Sequence, residues 1–531
     1  MHGLMMDTPL TITSILRHAE RINATTEIVS VTADHHRHRC TYADIFRRAR
    51  QLANALTAAG VRPGDRVATM AWNDFRHLEL YYAVSCMGAV LHTLNPRLFP
   101  EQLTYIFNHG GARILFVDQT LLPLVEKLRP GLPALERLVV LGPDYEAFIA
   151  GHADRYEWPD LDEREASSLC YTSGTTGHPK GVLYNHRATV LHTYGSALVD
   201  TLGLSRSDSV LAVVPMFHAN AWGLPYSVPM VGGKLVFPGP KMGDGATLAA
   251  LIAEERVTIA AGVPTVWQLL LNHAREQGIV LESLERVLVG GSACPLAIMN
   301  EFRDRHGVWT VHAWGMTEMT PLGTANSKPP GYDALAPAQQ DALRVKQGRP
   351  VFGVEMRIID DAGRELPWDG ASAGVLEVRG PWVCRDYYNT GEPSAAHAES
   401  GWFATGDVAN IAPDGTLQIT DRAKDVIKSG GEWISSIDLE NIAAGHPDLL
   451  QAAVIGVRHP KWEERPILIA VPRPGTAPTR EGVLGWLEGR IVKWWMPDDV
   501  VFVDKIPLTA TGKISKVELR QQFRDYRLPG T

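Results

Sequence analysis

Apolar residues along this chain keep two rhythms. From Thr41 to Ala59 they return every third or fourth position. Ile45, Ala49, Leu52, Ala53 and Leu56 share one face, which predicts an amphipathic helix. Thr41, with Asp44 three places on, is a capping signal, and Gly60 follows the end. Elsewhere the apolar residues come in short unbroken runs: Val67–Met70, Ile114–Val117, Leu138–Leu141, Val210–Val214, Leu235–Phe237 and Val287–Val289. Helical stretches separate many of these runs. That alternation predicts parallel strands covered on both faces, an α/β architecture.

Several runs stop at small or polar residues. Leu169-Cys170-Tyr171 leads into Thr172-Ser173-Gly174, Val213-Val214 into Pro215-Met216-Phe217-His218, and Val287-Leu288-Val289 into Gly290-Gly291-Ser292. Open α/β sheets bind ligands at the carboxyl ends of their strands, so these junctions are where chemistry is expected. The pattern changes after the turn signal Asp414-Gly415. Beyond the charged run Asp421–Asp425 come a helix near Ile437–Ala444, strands near Ala452–Val457 and Ile467–Val471, and a Pro/Gly/Thr-rich loop over Pro472–Thr479. The expected division is a large N-terminal domain over 1–420, a hinge at 421–424 and a small α+β domain over 425–531. A length of 531 residues agrees, since it exceeds what one core usually supports.

Composition narrows the classes. The chain is 45% apolar and 21% charged, as soluble globular proteins are, and its net charge of -8 offers no broad field for nucleic acid. Five cysteines stand singly, without a C-x-x-C pair, and read as reduced thiols of a cytoplasmic protein. No secretory leader or membrane span is expected. Asp34-His35-His36-Arg37-His38 lacks metal-ligand spacing and reads as an exposed loop.

The densest chemical signal is Tyr171-Thr172-Ser173-Gly174-Thr175-Thr176-Gly177-His178-Pro179-Lys180-Gly181. Glycines let backbone approach a phosphate, while hydroxyls and a lysine supply donors and charge. The spacing is not that of a P-loop, because Lys180 follows no glycine and precedes no Ser or Thr.

This run resembles the phosphate-loop signature of the acyl-adenylate-forming superfamily, which holds acyl-CoA synthetases, luciferases and peptide-synthetase adenylation domains. The resemblance continues in order along the chain. Trp314-Gly315-Met316-Thr317-Glu318 is similar to its aromatic-Gly-x-Thr-Glu motif, Thr405-Gly406-Asp407 to its Thr-Gly-Asp, and Asp421-Arg422-Ala423-Lys424-Asp425 to its hinge. Lys428-Ser429-Gly430-Gly431-Glu432 and Pro507-Leu508-Thr509-Ala510-Thr511-Gly512-Lys513 resemble the two motifs of its small domain. The resemblance implies layered α/β sheets plus a distorted β-barrel in the large domain, and a mobile α+β C-terminal domain.

It also implies roles. ATP is the nucleotide, Mg²⁺ its metal, and coenzyme A the acyl acceptor. Thr172 and Glu318 would hold Mg²⁺, and Thr176 and Lys180 the β- and γ-phosphates, within a binding loop that includes Ser173, Gly174, Thr175 and Gly177. Trp314 would stack on adenine and Thr317 contact the α-phosphate, with Ala313, Gly315 and Met316 also in the nucleotide site. Asp407 would accept from the ribose hydroxyls, with Arg422 beside it and Lys424 nearby. Lys513 would stabilise the charge that develops between the attacking carboxylate and the α-phosphate. Because Lys513 lies far along the chain from the phosphate loop, the small domain must close over the large one. Asp421 or Lys424 would be the pivot for a second position, presenting Lys428, Ser429, Gly430, Gly431, Glu432 and Trp433 to the thiol step.

At the acyl end, Val214–Pro225 resembles the matching segment of medium- and long-chain fatty acyl-CoA synthetases, and Gly262–Trp267 and Gly290–Ala293 resemble their pocket walls. His218, Trp222, Val263, Thr265, Gly290, Gly291, Ser292 and Met319 are the implied acyl-binding residues. Trp222 is either a gate of the acyl tunnel or a core aromatic, and His218 reads as a packed histidine, since an ionised acid needs no base. The leading expectation is therefore a medium- or long-chain fatty acid–CoA ligase. Its rivals are a ligase for 3-methylmercaptopropionate or an aryl acid, an acyl-AMP ligase that loads a carrier protein, and a catalytically silent nucleotide binder. Expected partners are small molecules and, by resemblance, a second copy of the chain in a homodimer.

Overall fold

Two largely parallel sheets carry the large lobe of the computed structural model, which describes residues 1, 3–172, 178–391, 401–430, 432–509 and 513–529. The first sheet runs, edge to edge, Arg349–Pro350, Leu322–Ala325, Trp309–Gly315, Arg286–Val289, Ile259–Gly262, Ser209–Ala212, Lys234–Phe237, Glu27–Val31 and Arg37–Thr41. Its six central strands are parallel, and antiparallel strands close both edges. The second sheet runs Arg137–Leu141, Ile114–Asp118, Arg66–Met70, Val90–Thr93, Ala166–Tyr171 and Gly181–Asn185, parallel except for the last pair.

The main core lies between these sheets. Ile28, Val210 and Leu235 of one and Val67, Leu91 and Phe116 of the other meet the helices Ile12–Ile22, Tyr42–Ala58, Phe75–Cys86 and Leu224–Val231. The capping signal at Thr41 is realised: the Asp44 amide donates to Thr41 Oγ1, and Asp44 Oδ2 accepts from the Thr41 amide at 3.0 Å. Outer helices cover the far faces, so the central strands are buried on both sides, as unbroken apolar runs require.

Two expected strands are longer than read, Ala452–Val457 extending to Leu449–His459 and Ile467–Val471 to Glu463–Pro472, and one is shorter. Val210–Val214 forms a strand only to Ala212. Asn73 Nδ2 takes the carbonyls of Ala212 and Val214, and its Oδ1 accepts from the Met216 amide at 2.7 Å, which bends the chain out of the ladder. The Asp34–His38 stretch divides likewise. Its first residues form an exposed turn, with His35 at a φ of 66°, while Arg37 and His38 belong to the edge strand, where His38 stacks on Phe75.

A four-stranded antiparallel sheet, Glu355–Ile359, Gly374–Arg379, Phe403–Ile411 and Leu417–Arg422, completes the large lobe around its own apolar cluster. A bridge from Gly348 to Leu417 ties it to the first sheet's antiparallel edge. The small lobe has its own five-stranded sheet of Glu432–Ile434, Ile427–Ser429, Glu463–Pro472, Leu449–His459 and Asp499–Phe502. Its three helices, Ser436–Ala443, Arg480–Leu487 and Lys516–Gln522, pack into two separate apolar clusters. Among the described residues, no helix is long and apolar enough to cross a membrane.

Candidate active site

The phosphate-loop segment leaves one sheet strand and returns on the next. Ala166–Tyr171 and Gly181–Asn185 pair antiparallel with Tyr171 opposite Gly181, so Thr172 and Lys180 meet at the base of the loop. The Thr172 amide donates to the Lys180 carbonyl at 2.9 Å, and the Lys180 amide to Thr172 Oγ1 at 3.1 Å. Ser173, Gly174, Thr175, Thr176 and Gly177 lie outside the described residues. His178 stacks on Tyr105 at 4.6 Å, and Lys180 Nζ sits 4.7 Å over the Tyr387 ring.

The strand Trp309–Gly315 carries Ala313, Trp314 and Gly315, three of the residues expected at the nucleotide. Gly315 is followed by a reversal in which the Met316 amide donates to the Pro321 carbonyl at 3.0 Å. A Cβ on Gly315 would lie 2.1 Å from that carbonyl oxygen, so only glycine fits. The turn Thr317–Met319 then holds Glu318, which is 7% exposed and accepts at Oε1 from the Tyr387 hydroxyl at 2.7 Å. Burial pushes the Glu318 carboxyl up, against the lowering influence of that hydroxyl, Arg422 and Lys180.

Asp407 is 1% exposed and already has two partners. Trp314 Nε1 donates to Oδ2 at 2.9 Å, and Arg422 Nε lies 2.8 Å from Oδ1. A carboxylate has about four acceptor positions, so about two remain open beyond these partners. Trp314 is itself buried, its ring crossing Gly323 beside Met319.

Lys513 reaches this cluster from the small lobe. Its amide donates to Thr509 Oγ1 at 3.2 Å, and its carbonyl accepts from the Thr509 amide at 2.6 Å. The side chain crosses to the large lobe, where Lys513 Cε lies 3.5 Å from the position a Cβ on Gly291 would take. Burial, then Arg422, lower the Lys513 ammonium to about 8, opposed by Asp407 and Glu318. The same lysine, after burial, helps press His218 down to about 4, so the imidazole is neutral at physiological pH.

Of the residues expected at the acyl end, Trp222, Val263, Gly290 and Gly291 come together beside Lys513. A Cβ on Gly290 would meet Trp222 Cη2 at 3.3 Å and the Ala313 carbonyl at 3.2 Å, and one on Gly291 would meet Val263 Cγ1 at 3.4 Å. Trp222 is half-buried, packed on the main core and edge-on to the glycine wall. Thr265 is half-buried in the first turn of Pro264–Glu276, and Ser292 is exposed in the loop after the glycines. Met319 is fully buried behind the glutamate turn.

Lys428, Ser429 and Gly430 do not join this gathering. The Lys428 amide bonds Glu464, Ser429 Oγ accepts from Arg465, and the Gly430 amide donates to the Trp462 carbonyl at 3.0 Å, all within the small lobe. Gly431 lies outside the described residues, and Glu432 and Trp433 begin the strand Glu432–Ile434.

Family comparison decides what this assembly belongs to. The AMP-binding enzyme profile matches residues 17–388, and the AMP-binding enzyme C-terminal domain profile matches residues 438–513. The chain belongs to the AMP-binding enzyme family. It is an AMP-forming acyl-CoA ligase of that family. It is 54% identical to a 3-methylmercaptopropionyl-CoA ligase of Ruegeria pomeroyi over 99% of both chains. It is 50% identical to a medium-chain-fatty-acid–CoA ligase of Ectopseudomonas oleovorans, over 99% of this chain and 98% of that one. Among solved structures, the anthranilate CoA ligase AuaEII in complex with anthranoyl-AMP superposes with a TM-score of 0.88 at 27% identity, over 97% of this chain and 98% of that one.

For the Mg²⁺ that the family resemblance implies, the oxygen donors suit a hard cation: the Glu318 carboxylate and the Thr172 hydroxyl. Among the described residues, no group of three or more His, Cys, Asp or Glu side chains could hold a metal alone. The remaining ligands would come from nucleotide phosphates, a common arrangement for Mg²⁺.

Two features carried no sequence signal. Ala219, Asn220, Ala221 and Trp222 all have φ between 43° and 56°, a left-handed turn of non-glycine residues. Asn220 pins it, donating to Ser168 Oγ at 3.0 Å and accepting from Tyr81 and Cys170. Tyr387 is the second; its contacts with Glu318 and Lys180 join residues remote in the chain.

Proposed function

We propose that this acyl-CoA ligase activates a short, unbranched aliphatic or thioether acid in two steps within one site. In the first, a carboxylate oxygen attacks the α-phosphorus of ATP, the bond to the β-phosphate oxygen breaks, and pyrophosphate leaves. In the second, the thiol of coenzyme A gives its proton to solvent, its sulfur attacks the acyl carbon, and AMP leaves with the bonding pair. Lys513 would neutralise the charge that builds between acid and α-phosphate, a position supported by its approach to Gly291 and its electrostatic coupling to Asp407, Arg422 and Glu318. Thr172, Thr176, Lys180 and Glu318 would bind the polyphosphate end, where bound Mg²⁺ would supply further positive charge. Asp407 and Arg422 would hold the ribose side. The adenylation step requires no general base, because the acid is already ionised, and the neutral His218 would serve as wall.

The observation that favours a short acid is the ring edge of Trp222 standing against Gly290, 3.3 Å from where a Cβ there would lie, so that a long chain would have to displace the indole. The 54% relative named for a short thioether acid supports the same reading. A medium-chain acid remains the second reading, carried by the 50% relative. The thiol step would use Lys428–Trp433 after the small lobe turns about Asp421–Lys424.

An acid panel tests this. AMP and pyrophosphate formation, with CoA present, is measured for 3-methylmercaptopropionate, straight-chain acids from propanoate to dodecanoate, and benzoate. The highest kcat/KM is expected for the thioether acid or the straight acids nearest its length. A maximum at decanoate or beyond would reject the short-acid reading, and ADP in place of AMP would reject the two-step chemistry.

A further inference from the structure

One tyrosine touches two charges that the proposed chemistry needs on the polyphosphate side. Tyr387 donates its hydroxyl hydrogen to Glu318 Oε1 at 2.7 Å, and Lys180 Nζ lies 4.7 Å over its ring. Glu318 comes from the turn after one sheet and Lys180 from a loop of the other, so no single element fixes their separation. The backbone around Tyr387 is fastened to both. The Cys384 amide donates to the Glu318 carbonyl at 2.7 Å, and the Tyr388 amide to the Gly181 carbonyl at 2.7 Å. His109 Nε2 reaches the Asn389 carbonyl at 3.2 Å, while its Nδ1 pairs with the Tyr171 hydroxyl at 2.6 Å. Residues Cys384–Asn389 thus form a strap between the glutamate turn and the base of the phosphate loop.

We infer that Tyr387 is a positioning residue for adenylation, holding the cation-binding Glu318 and the phosphate-binding Lys180 as one unit. A phenol hydrogen bond to a carboxylate is charge-assisted and directional, and a cation over an aromatic face is held without losing its outward donors. The two contacts use different parts of one side chain, so substitution separates them. Phe keeps the ring under Lys180 and removes the donor to Glu318, whereas Leu removes both.

This inference rests on the proposed roles of Glu318 and Lys180, and the test separates the two failures. ATP binding by the whole enzyme is followed by calorimetry in EDTA and then at graded Mg²⁺, alongside acid-dependent pyrophosphate exchange. Tyr387→Phe is expected to bind ATP in EDTA as the parent does, with its Mg²⁺ midpoint raised about tenfold, as loss of a hydrogen bond to a charged group implies. Tyr387→Leu is expected to add a loss of roughly threefold in ATP affinity in EDTA, the scale of an exposed cation–aromatic contact. A Phe variant with the parent Mg²⁺ midpoint overturns the inference, and so does a Leu variant that matches Phe in EDTA. Glu318→Gln is the separating arm. If it shifts the midpoint while Tyr387→Phe does not, only the role of Tyr387 falls; if it leaves the midpoint in place, the metal reading of Glu318 falls and this inference with it.

Discussion

Lys513 is the residue on which the proposed chemistry turns, and its surroundings set its pH range. An ammonium normally near 10.4 sits here at about 8, because burial and then Arg422 disfavour the charged form more than Asp407 and Glu318 favour it. The free enzyme therefore loses this cation as pH rises through about 8. Since kcat/KM reports groups of the free enzyme, kcat/KM for ATP in pyrophosphate exchange is expected to fall above that pH. The corresponding limb in kcat should lie higher, because a bound triphosphate favours the ammonium. Lys513→Arg keeps a charge across the whole range, so its profile should lose the alkaline limb even where its absolute rate is lower. An unchanged limb in the Arg variant would assign the titration to another group.

At the scale of elements, the turn that carries Trp222 is the most expensive piece of backbone near the acyl site. A left-handed conformation costs about 1–2 kcal/mol for each L-residue with a Cβ, and Ala219–Trp222 holds four such residues in succession. Asn220 tolerates the region best and has buried partners in Ser168, Tyr81 and Cys170. Asn220→Ala should lower unfolding stability by about 1–3 kcal/mol in urea, the cost of leaving buried groups unpaired. It should also broaden acid selectivity, since Trp222 would no longer be delivered in one position. Stability equal to the parent would show that the turn is held by something else.

The same turn marks how far the sequence reads. The helix from Thr41 and the strand that leads into Thr172 were legible because their signals are local: a capping box, and a short apolar run that stops at small and polar residues. The two glycines after Val287–Val289 were legible as a break in an apolar run, and a Cβ on Gly290 would press on Trp222 at 3.3 Å. The left-handed turn, the early stop at Ala212 and the strap at Tyr387 are tertiary effects. Asn73, Asn220 and Glu318 lie far from what they hold, and no periodicity links them to it.

For the molecule as a whole, the question is what keeps the small lobe where Lys513 can act. Asp421, at the end of a large-lobe strand and 0% exposed, accepts at Oδ2 from both the amide and the hydroxyl of Ser436, at 2.7 Å each. Ser436 opens the small-lobe helix Ser436–Ala443, whose first turn favours an anion. Lys516 completes the contact by bonding Ser436 Oγ and pairing with Glu440 at 3.0 Å. If the small lobe turns about Lys424, Asp421 stays with the large lobe while Ser436 leaves, so these bonds belong to the arrangement that seats Lys513. Asp421→Ala should therefore slow acid-dependent pyrophosphate exchange by about tenfold or more, the scale of hydrogen bonds to a buried carboxylate. Thioester formation from supplied acyl-adenylate should keep its parent rate or exceed it, because the competing position is no longer held closed. Lys516 retains Glu440 in the variant, which limits damage to the small lobe itself. Equal loss in both half-reactions would make Asp421 a general brace, and loss confined to the thiol step would place the latch in the other position.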